Sequence, residues 1–362
     1  MKMLRSSISA IDDRPVAAAV APLLVWYEQN ARTLPWREDR NPYHIWLSEI
    51  MLQQTRVEAV IPYYHRFLAA LPTIGKLAAV EEEQLLKLWE GLGYYSRARN
   101  LKKAAVLCVE QYGGMLPPTY DELLKLPGFG PYTAAAVASI AFGAPVPAVD
   151  GNVLRVVSRL CAYGEDIMLP AVRKAVFTCL LPYMTEKPGE MNQAFMDLGA
   201  LVCLPNGAPK CMDCPVSFCC EAFSNRQERL FPVKRAKAAR RIEKRVVLLI
   251  CAEQRVLLHK RDAQGLLAGL WEFPNFEGSS DETAVRDYCA GIGLPAKKIC
   301  RLDDAKHIFT HIEWHMTSFA VEMDRCIEVK GGVWVKAEDL QEQYPLPGAF
   351  HAFREAVRER LR

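Results

Sequence analysis

The sequence predicts a two-domain protein, an all-helical domain followed by a smaller α+β domain, and three observations carry that expectation. The chain has 362 residues, enough for two separate cores at the usual domain size of about 100–200 residues. From about residue 16 to 202 apolar residues recur at three- and four-residue spacing, broken by short turns such as Leu71-Pro72 and Leu116-Pro117-Pro118, which is the period of a helix face. Beyond residue 245 the period becomes strand-like, in Val246-Val247-Leu248-Leu249-Ile250, Val256-Leu257-Leu258, the alternating stretch from Ile308 to Val321, and Val333-Trp334-Val335.

Helical segments near 283–292 and 349–361 complete the second domain. Between the two patterns, Lys234 to Arg245 sets seven Lys/Arg against the single acid Glu243, a composition that suits a solvated tether and also a phosphate backbone. The expected division is therefore a helical domain over residues 1–232, a basic linker over 233–245 and an α+β domain over 246–362.

Composition narrows the class. With 51% hydrophobic and 24% charged residues, the chain is ordinary globular material rather than disordered or fibrous. A net charge of +3 permits a nucleic-acid partner without arguing for one. The longest early apolar stretch, Val16 to Tyr27, contains Pro22, follows Asp12, Asp13 and Arg14, and is too short to span a bilayer. Neither a signal peptide nor a membrane span is expected. Of the 12 cysteines five fall between Cys203 and Cys220, a concentration that fits an intracellular metal site rather than a disulfide framework.

Three segments of the helical domain carry candidate chemistry. Leu124 to Thr133 joins two helical runs through a turn holding Gly128 and Gly130. Glycines leave backbone N–H groups uncovered, and with the following helix N-terminus they form an anion site of the kind that grips a DNA phosphate. A tight helix-helix turn is the plainer reading of the same residues. In Pro147 to Val153, Asp150 stands where a helix begins, as an N-cap or as a carboxylate that the positive helix end keeps ionised. Ionised, it is suited to stabilise a sugar cation. Helical spacing puts Glu49 on one face with Trp46, Ile50 and Gln53, as an acid paired with an arginine or as one desolvated enough to hold a proton near neutral pH. Two carboxyls in contrasting environments are the expected equipment for cleaving a glycosidic bond.

The cysteines read C-x7-C-x2-C-x5-C through Cys203, Cys211, Cys214 and Cys220, a compact set of soft ligands for an iron-sulfur cluster or for zinc. Cys219 leaves the last ligand ambiguous.

Leu34-Pro35-Trp36-Arg37, Ser48-Glu49-Ile50-Met51-Leu52-Gln53-Gln54-Thr55-Arg56-Val57, Gly91-Leu92-Gly93-Tyr94-Tyr95, Leu126 to Thr133 and Val149-Asp150-Gly151-Asn152-Val153 occur in order. They resemble the MutY family of adenine DNA glycosylases, within the helix-hairpin-helix superfamily. The resemblance implies a base-excision repair enzyme that flips adenine out of a pair with 8-oxoguanine or guanine in double-stranded DNA and cuts its N-glycosidic bond. It implies Glu49 as the acid that protonates N7 of adenine, Asp150 as the stabiliser of the sugar cation or its adduct, and Tyr132 and Asn152 as assistants at the sugar. Gln54 and Tyr94 are implied to enter the base stack, and Arg37, Thr55 and Leu92 to contact the DNA.

Endonuclease III-like enzymes resemble this chain but carry lysine where it has Tyr132. A phenol forms no imine, so a monofunctional glycosylase is expected. The resemblance also implies a [4Fe-4S] cluster on the four cysteines of loop 203–220. The relatives usually have six residues between the first two cysteines, and this chain has seven, Leu204 to Lys210.

In the second domain, Arg255 to Phe276, with Gly269-Leu270-Trp271-Glu272-Phe273-Pro274, resembles the start of a Nudix fold, but Thr283 to Gly293 lacks the adjacent glutamates that hold magnesium in the hydrolases. A recognition module is expected. Phe309-Thr310-His311 resembles the Phe-Ser-His segment that reads 8-oxoguanine, whose oxidised N7 is a donor where guanine's is an acceptor. A monomer is expected, without a membrane partner, in the bacterial cytoplasm or a nucleus. Rival readings are a pyrimidine-removing glycosylase of the same superfamily, a non-catalytic DNA-binding protein and an active Nudix hydrolase.

Overall fold

The computed structural model describes residues 8–235, 239–278 and 281–361. The chain divides by contacts into two compact units, Met1–Ala79 with Asn100–Ala236, and Val80–Arg99 with Lys237–Arg362. Helices run in the order α1 (Arg14–Asn30), α2 (Pro42–Met51), α3 (Val57–Ala70), α4 (Ile74–Ala79), α5 (Glu82–Leu88), α6 (Ser96–Gln111), α7 (Tyr120–Leu123), α8 (Pro131–Phe142), α9 (Gly151–Leu160), α10 (Pro170–Leu180), α11 (Pro188–Leu201) and α12 (Glu221–Ser224). The strands are β1 (Arg241–Ala252), β2 (Arg255–Lys260), β3 (Trp271–Glu272), β4 (Asn275–Glu277), β5 (Lys298–Arg301), β6 (Ala305–Ile308), β7 (Ile312–Glu322) and β8 (Gly332–Val335). They are accompanied by α13 (Glu282–Gly291), α14 (Ala337–Glu342) and α15 (Arg354–Arg360).

In the first unit the helical period holds. Helices α1, α9 and α11 bury Val16, Leu23, Val153, Val156, Val157, Phe195 and Leu198 in one core. Helix α8 begins at Pro131, a residue suited to a first helical position because its missing N–H has no partner there anyway, and it buries Ala134, Ala135, Ala136 and Ala138. These small side chains let neighbouring helices come close. On α11, a Cβ at Gly199 would lie 2.6 Å from the Cβ of Asn152, so only glycine lets α11 press against the first turn of α9.

The second unit is a sheet of eight strands among the described residues, with β3-β2-β1-β7-β5 in sequence across it, β4 added to β1, β6 to β7 and β8 to β2. Strand β1 runs parallel to β7 from Arg241 opposite Ile312 to Cys251 opposite Glu322. Its apolar run is continuous because both faces are covered. Val247 and Leu249 pack with Phe350, Phe353 and Val357 on one side, and Val246, Leu248 and Ile250 with Val285 and Cys289 of α13 on the other.

Several boundaries differ from the sequence expectation. Of the basic linker expected over 233–245, residues 236–238 lie outside the described residues, and Arg241 to Arg245 already belong to β1. The charges there are compatible with a strand because Glu243 accepts a 2.8 Å hydrogen bond from Trp314 Nε1 and pairs with Arg241 and Arg245. The alternating stretch starting at Ile308 is two strands, β6 and β7, with Phe309, Thr310 and His311 at the tip between them. Strands β3 to β5 and helix α14 carry too short a pattern to register as periodicity.

Candidate active site

Glu49 lies on α2 and is 7% exposed. Helix α2 stops at Met51, so Gln53 stands in the turn after it rather than on the helical face expected, and its Nε2 donates to Thr133 Oγ1 at 3.2 Å. Beneath, Trp46 stacks on Phe129 of the hairpin with ring centroids 5.3 Å apart. Burial pushes the Glu49 carboxyl up to about 7. The nearby charge of Asp150 adds to the rise, while the Tyr132 hydrogen bond and the Arg37 charge oppose it. The Tyr132 hydroxyl donates to Glu49 Oε2 at 2.6 Å. Its own pKa is raised well above the ordinary tyrosine value, by burial first and then by the two carboxyls.

Asp150 is the N-cap of α9, accepting from Val153 N at 2.7 Å and from Asn152 Nδ2 at 2.8 Å. These bonds and the Arg155 charge favour the carboxylate, yet burial outweighs them and the net displacement is upward. The helix start favours the carboxylate as expected of an N-cap, and burial works against it. Burial thus opposes the ionised form of both carboxyls, and a cation beside Asp150 would favour its carboxylate.

Behind the site runs a second layer that sequence reasoning missed. Arg155 Nη2 donates to Asn152 Oδ1 at 2.8 Å and to Gly199 O at 2.7 Å, and its Nε to Cys203 O at 2.8 Å. Asn192 receives Ala148 N at 2.8 Å and donates to Val146 O at 2.9 Å, fixing the strand-like approach to Asp150. The available signal was polar: Asn152, Arg155 and Arg159 interrupt a valine-rich helix.

Arg37 forks onto Asp197 with bonds of 2.7 and 3.0 Å. Arg32 Nε adds a bond of 2.8 Å to the same carboxylate. Burial pushes Asp197 up, but the two arginines outweigh it and hold it below the ordinary aspartate value. A fully buried carboxylate needs such partners, so Arg37 presents no free guanidinium here.

In the hairpin Gly128 has φ of 81° and its missing Cβ leaves room for Asn100, which a Cβ would meet at 2.9 Å. Gly130, by contrast, is extended at φ −89° and caps α8. Gln54 and Tyr94, the two residues expected to enter the base stack, are both non-glycine residues at positive φ, 59° and 47°. Such backbone costs about 1–3 kcal/mol and collects at functional positions. Thr55 donates to Gln53 O at 3.4 Å. Tyr94 is 46% exposed whereas Leu92 is buried at 6%.

Within the second unit Phe309 packs edge-on against Trp314, centroids 4.9 Å apart, and leaves Thr310 and His311 exposed at the hairpin tip. Thr310 Oγ1 hydrogen-bonds the Tyr94 hydroxyl.

The cysteines also group. The thiols of Cys203, Cys211 and Cys220 all act electrostatically on Cys214, and Cys203 and Cys211 act on Cys220, while burial leads in raising all three of Cys211, Cys214 and Cys220. No cysteine thiol acts on Cys219, whose sulfur turns to Val216 O at 3.4 Å. That favours Cys220 as the fourth member. Arg159 Nη1 lies 3.2 Å from Cys203 Sγ. The seven-residue gap closes on itself through a 2.9 Å bond from Lys210 N to Val202 O, so the extra residue bulges outward. Among the described residues no group of three or more His, Cys, Asp and Glu is placed to hold a metal ion. Four thiols free of disulfides on one short loop fit a cluster of several irons.

A helix-hairpin-helix unit that buries a glutamate of raised pKa beside an aspartate at a helix start suits a base-excision DNA glycosylase. Residues 47–176 match the HhH-GPD superfamily of base excision DNA repair proteins, and residues 245–356 match the NUDIX domain. The adenine DNA glycosylase of Mus musculus is 35% identical over 90% of this chain and 75% of its own length, and that of Buchnera aphidicola subsp. Baizongia pistaciae 36% identical over 80% and 82%. A trapped covalent intermediate of endonuclease III with DNA superposes at a TM-score of 0.51 with 25% identity, over 60% of this chain and 99% of that one. The chain belongs to the adenine DNA glycosylase family, MutY. It is an N-glycosyl hydrolase that removes adenine from DNA in base excision repair. No helix among the described residues is long and apolar enough to cross a membrane.

Proposed function

We propose that this glycosylase removes adenine paired with 8-oxoguanine or guanine, as a monofunctional, monomeric enzyme with a [4Fe-4S] cluster, acting where the cell keeps its chromosome. The observation that carries the chemistry is Glu49, buried, held by Tyr132 and displaced to about 7. Its neutral carboxyl donates a proton to N7 of the flipped adenine, which then departs with the electron pair of the C1′–N9 bond as a neutral base. The cation left at C1′ is stabilised by the Asp150 carboxylate, which Val153 N and Asn152 hold in place. Water adds at C1′ and its proton returns to a carboxylate.

Tyr132 offers no amine for an imine with the sugar. Gln54, Tyr94, Thr55 and Leu92 are assigned to the duplex around the vacated position, with Gly128 and Gly130 at a phosphate. Phe309 serves as the anchor of a tip whose Thr310 and His311 read the opposite base. Cys203, Cys211, Cys214 and Cys220 would hold the cluster, which fixes the local fold. Support for the mispair comes from the Nudix-like unit, whose α13 has neither an arginine-glutamate pair nor adjacent glutamates.

Duplexes carrying adenine opposite 8-oxoguanine, guanine or thymine, scored for free adenine and for strand breaks with and without alkali, test the reading. Excision opposite the first two and alkali-dependent breaks are expected. Equal excision opposite thymine would overturn the mispair assignment, and breaks that keep pace with excision without alkali would overturn the monofunctional one.

A further inference from the structure

By its contacts the stretch Val80–Arg99 belongs to the second unit, and a buried carboxylate anchors it there. Glu90, with its side chain 10% exposed, accepts from Leu346 N at 3.1 Å, pairs with Lys87 Nζ at 2.7 Å and with Arg354 of α15, and has His351 Nε2 at 4.0 Å. Lys87 also donates to Tyr344 O at 3.3 Å. Immediately after Glu90 the chain makes a turn through Gly91, Gly93 and Tyr94, all at positive φ. The turn's inner carbonyls are held by its own neighbours, Gly93 O by Trp89 Nε1 at 3.1 Å and Leu92 O by Arg97 Nη2 at 2.8 Å. Its outer end is the Tyr94 hydroxyl on Thr310. The shape of the turn is thus set locally; Glu90 is the tie to the second unit next to it in sequence, with Glu83 on Lys260 at 2.7 Å and Arg99 on Ala268 O at 2.7 Å further out.

We infer that Glu90 and Arg354 are positioning residues for base discrimination: the ion pair fixes the Gly91–Tyr94 turn so that Tyr94 meets Thr310. The inference rests on the proposed reading of the opposite base by the Phe309–His311 tip. Neither residue touches the DNA in this account. Without Arg354 the buried carboxylate keeps Lys87 as its cation but loses the tie to α15, which loosens the turn while leaving the helical unit's residues untouched. Three positions at positive φ, two of them glycine, give the turn little resistance once its anchor is gone.

The test uses the full-length protein in single-turnover excision opposite 8-oxoguanine and opposite guanine, with melting temperature and amide exchange at residues 91–95 measured alongside. Arg354→Met is expected to lower the ratio of 8-oxoguanine to guanine rates about tenfold, to leave the guanine rate within about twofold and to speed exchange at 91–95. Arg354→Lys, which keeps a cation at Glu90, is expected to restore most of the ratio. Should Arg354→Met melt early, Glu90→Gln carries the same expectation, since its amide still accepts from Leu346 N. A folded Arg354→Met or Glu90→Gln protein with an unchanged ratio overturns the inference. Thr310→Ala separates the two readings. If it leaves the ratio intact, the tip is not the reader, whatever the Arg354 result. If it lowers the ratio and Arg354→Met does not, the reader stands and the anchor falls. If both lower it, combining them should add little, because both act on one contact.

Discussion

Replacing Glu49 with glutamine should abolish excision and at the same time stabilise the protein at alkaline pH. The carboxyl titrates near 4.5 when unfolded and at about 7 in the folded site. A group whose folded pKa is raised gives its full stability below the unfolded value and loses it as pH rises through the folded one. Between roughly pH 4.5 and 7 the unfolded chain gives up this proton while the folded chain keeps it, so the native state loses about 1.4 kcal/mol per unit. Over the whole displacement that amounts to about 3 kcal/mol, and no discount for solvent is needed at 7% exposure.

Glutamine never ionises, and its carbonyl still accepts from Tyr132. The Glu49→Gln protein should therefore be more stable than the parent by about 2–3 kcal/mol at pH 8.5, with the gap closing toward pH 4.5. Urea unfolding followed by far-ultraviolet dichroism, in which the helical unit dominates, measures it across that range. The parent's single-turnover rate should fall about tenfold per unit above pH 7 as Glu49 loses its proton. A stability difference that does not vary with pH, or a parent rate flat from pH 6 to 9, would refute the assignment of a proton-holding Glu49.

Asp150→Asn should keep mismatch affinity and the α9 cap, since asparagine caps well, while lowering the single-turnover rate by at least about a hundredfold through loss of charge at the transition state. Undiminished turnover would remove Asp150 from the mechanism. The purified protein should be brown with close to four irons per chain, and Cys211→Ser should lower iron content and folding yield together; a colourless, fully active protein holding zinc refutes the cluster. Thr310→Ala combined with His311→Ala should cost about 1–3 kcal/mol of preference for 8-oxoguanine over guanine if a good polar contact to the base is lost, read as the ratio of excision rates in a protein whose melting is unchanged.

The residues legible in the sequence were those whose signal is local. Asp150 was visible as a helix start because capping reaches three residues, to Val153. Glu49 was visible as a desolvated acid because its neighbours on one helix face, Trp46 and Ile50, are apolar and buried. What stayed hidden joins residues far apart in the chain. The bond from Tyr132 to Glu49 spans 83 positions and that from Arg37 to Asp197 spans 160, so neither leaves a local pattern. The sign of the Asp150 displacement needed the burial contributed by other segments. The start of β1 was hidden because Arg241 and Glu243 look solvated until β7 supplies Trp314. The ties of Val80–Arg99 to the second unit are equally remote, such as Glu90 meeting Arg354, 264 positions later.

The outward bulge in the cysteine loop also makes a practical handle. Residues 205–208 are exposed, Gly207 takes φ of 74°, and the base of the bulge is already closed by Lys210 N on Val202 O. Lengthening a loop whose ends are pinned costs little, about 0.6 kcal/mol for each doubling, and exposed tips of small polar residues tolerate insertion. A short peptide epitope or a fluorophore-accepting tag placed after Gly207 would therefore report on the protein in cells without displacing any of the four cysteines.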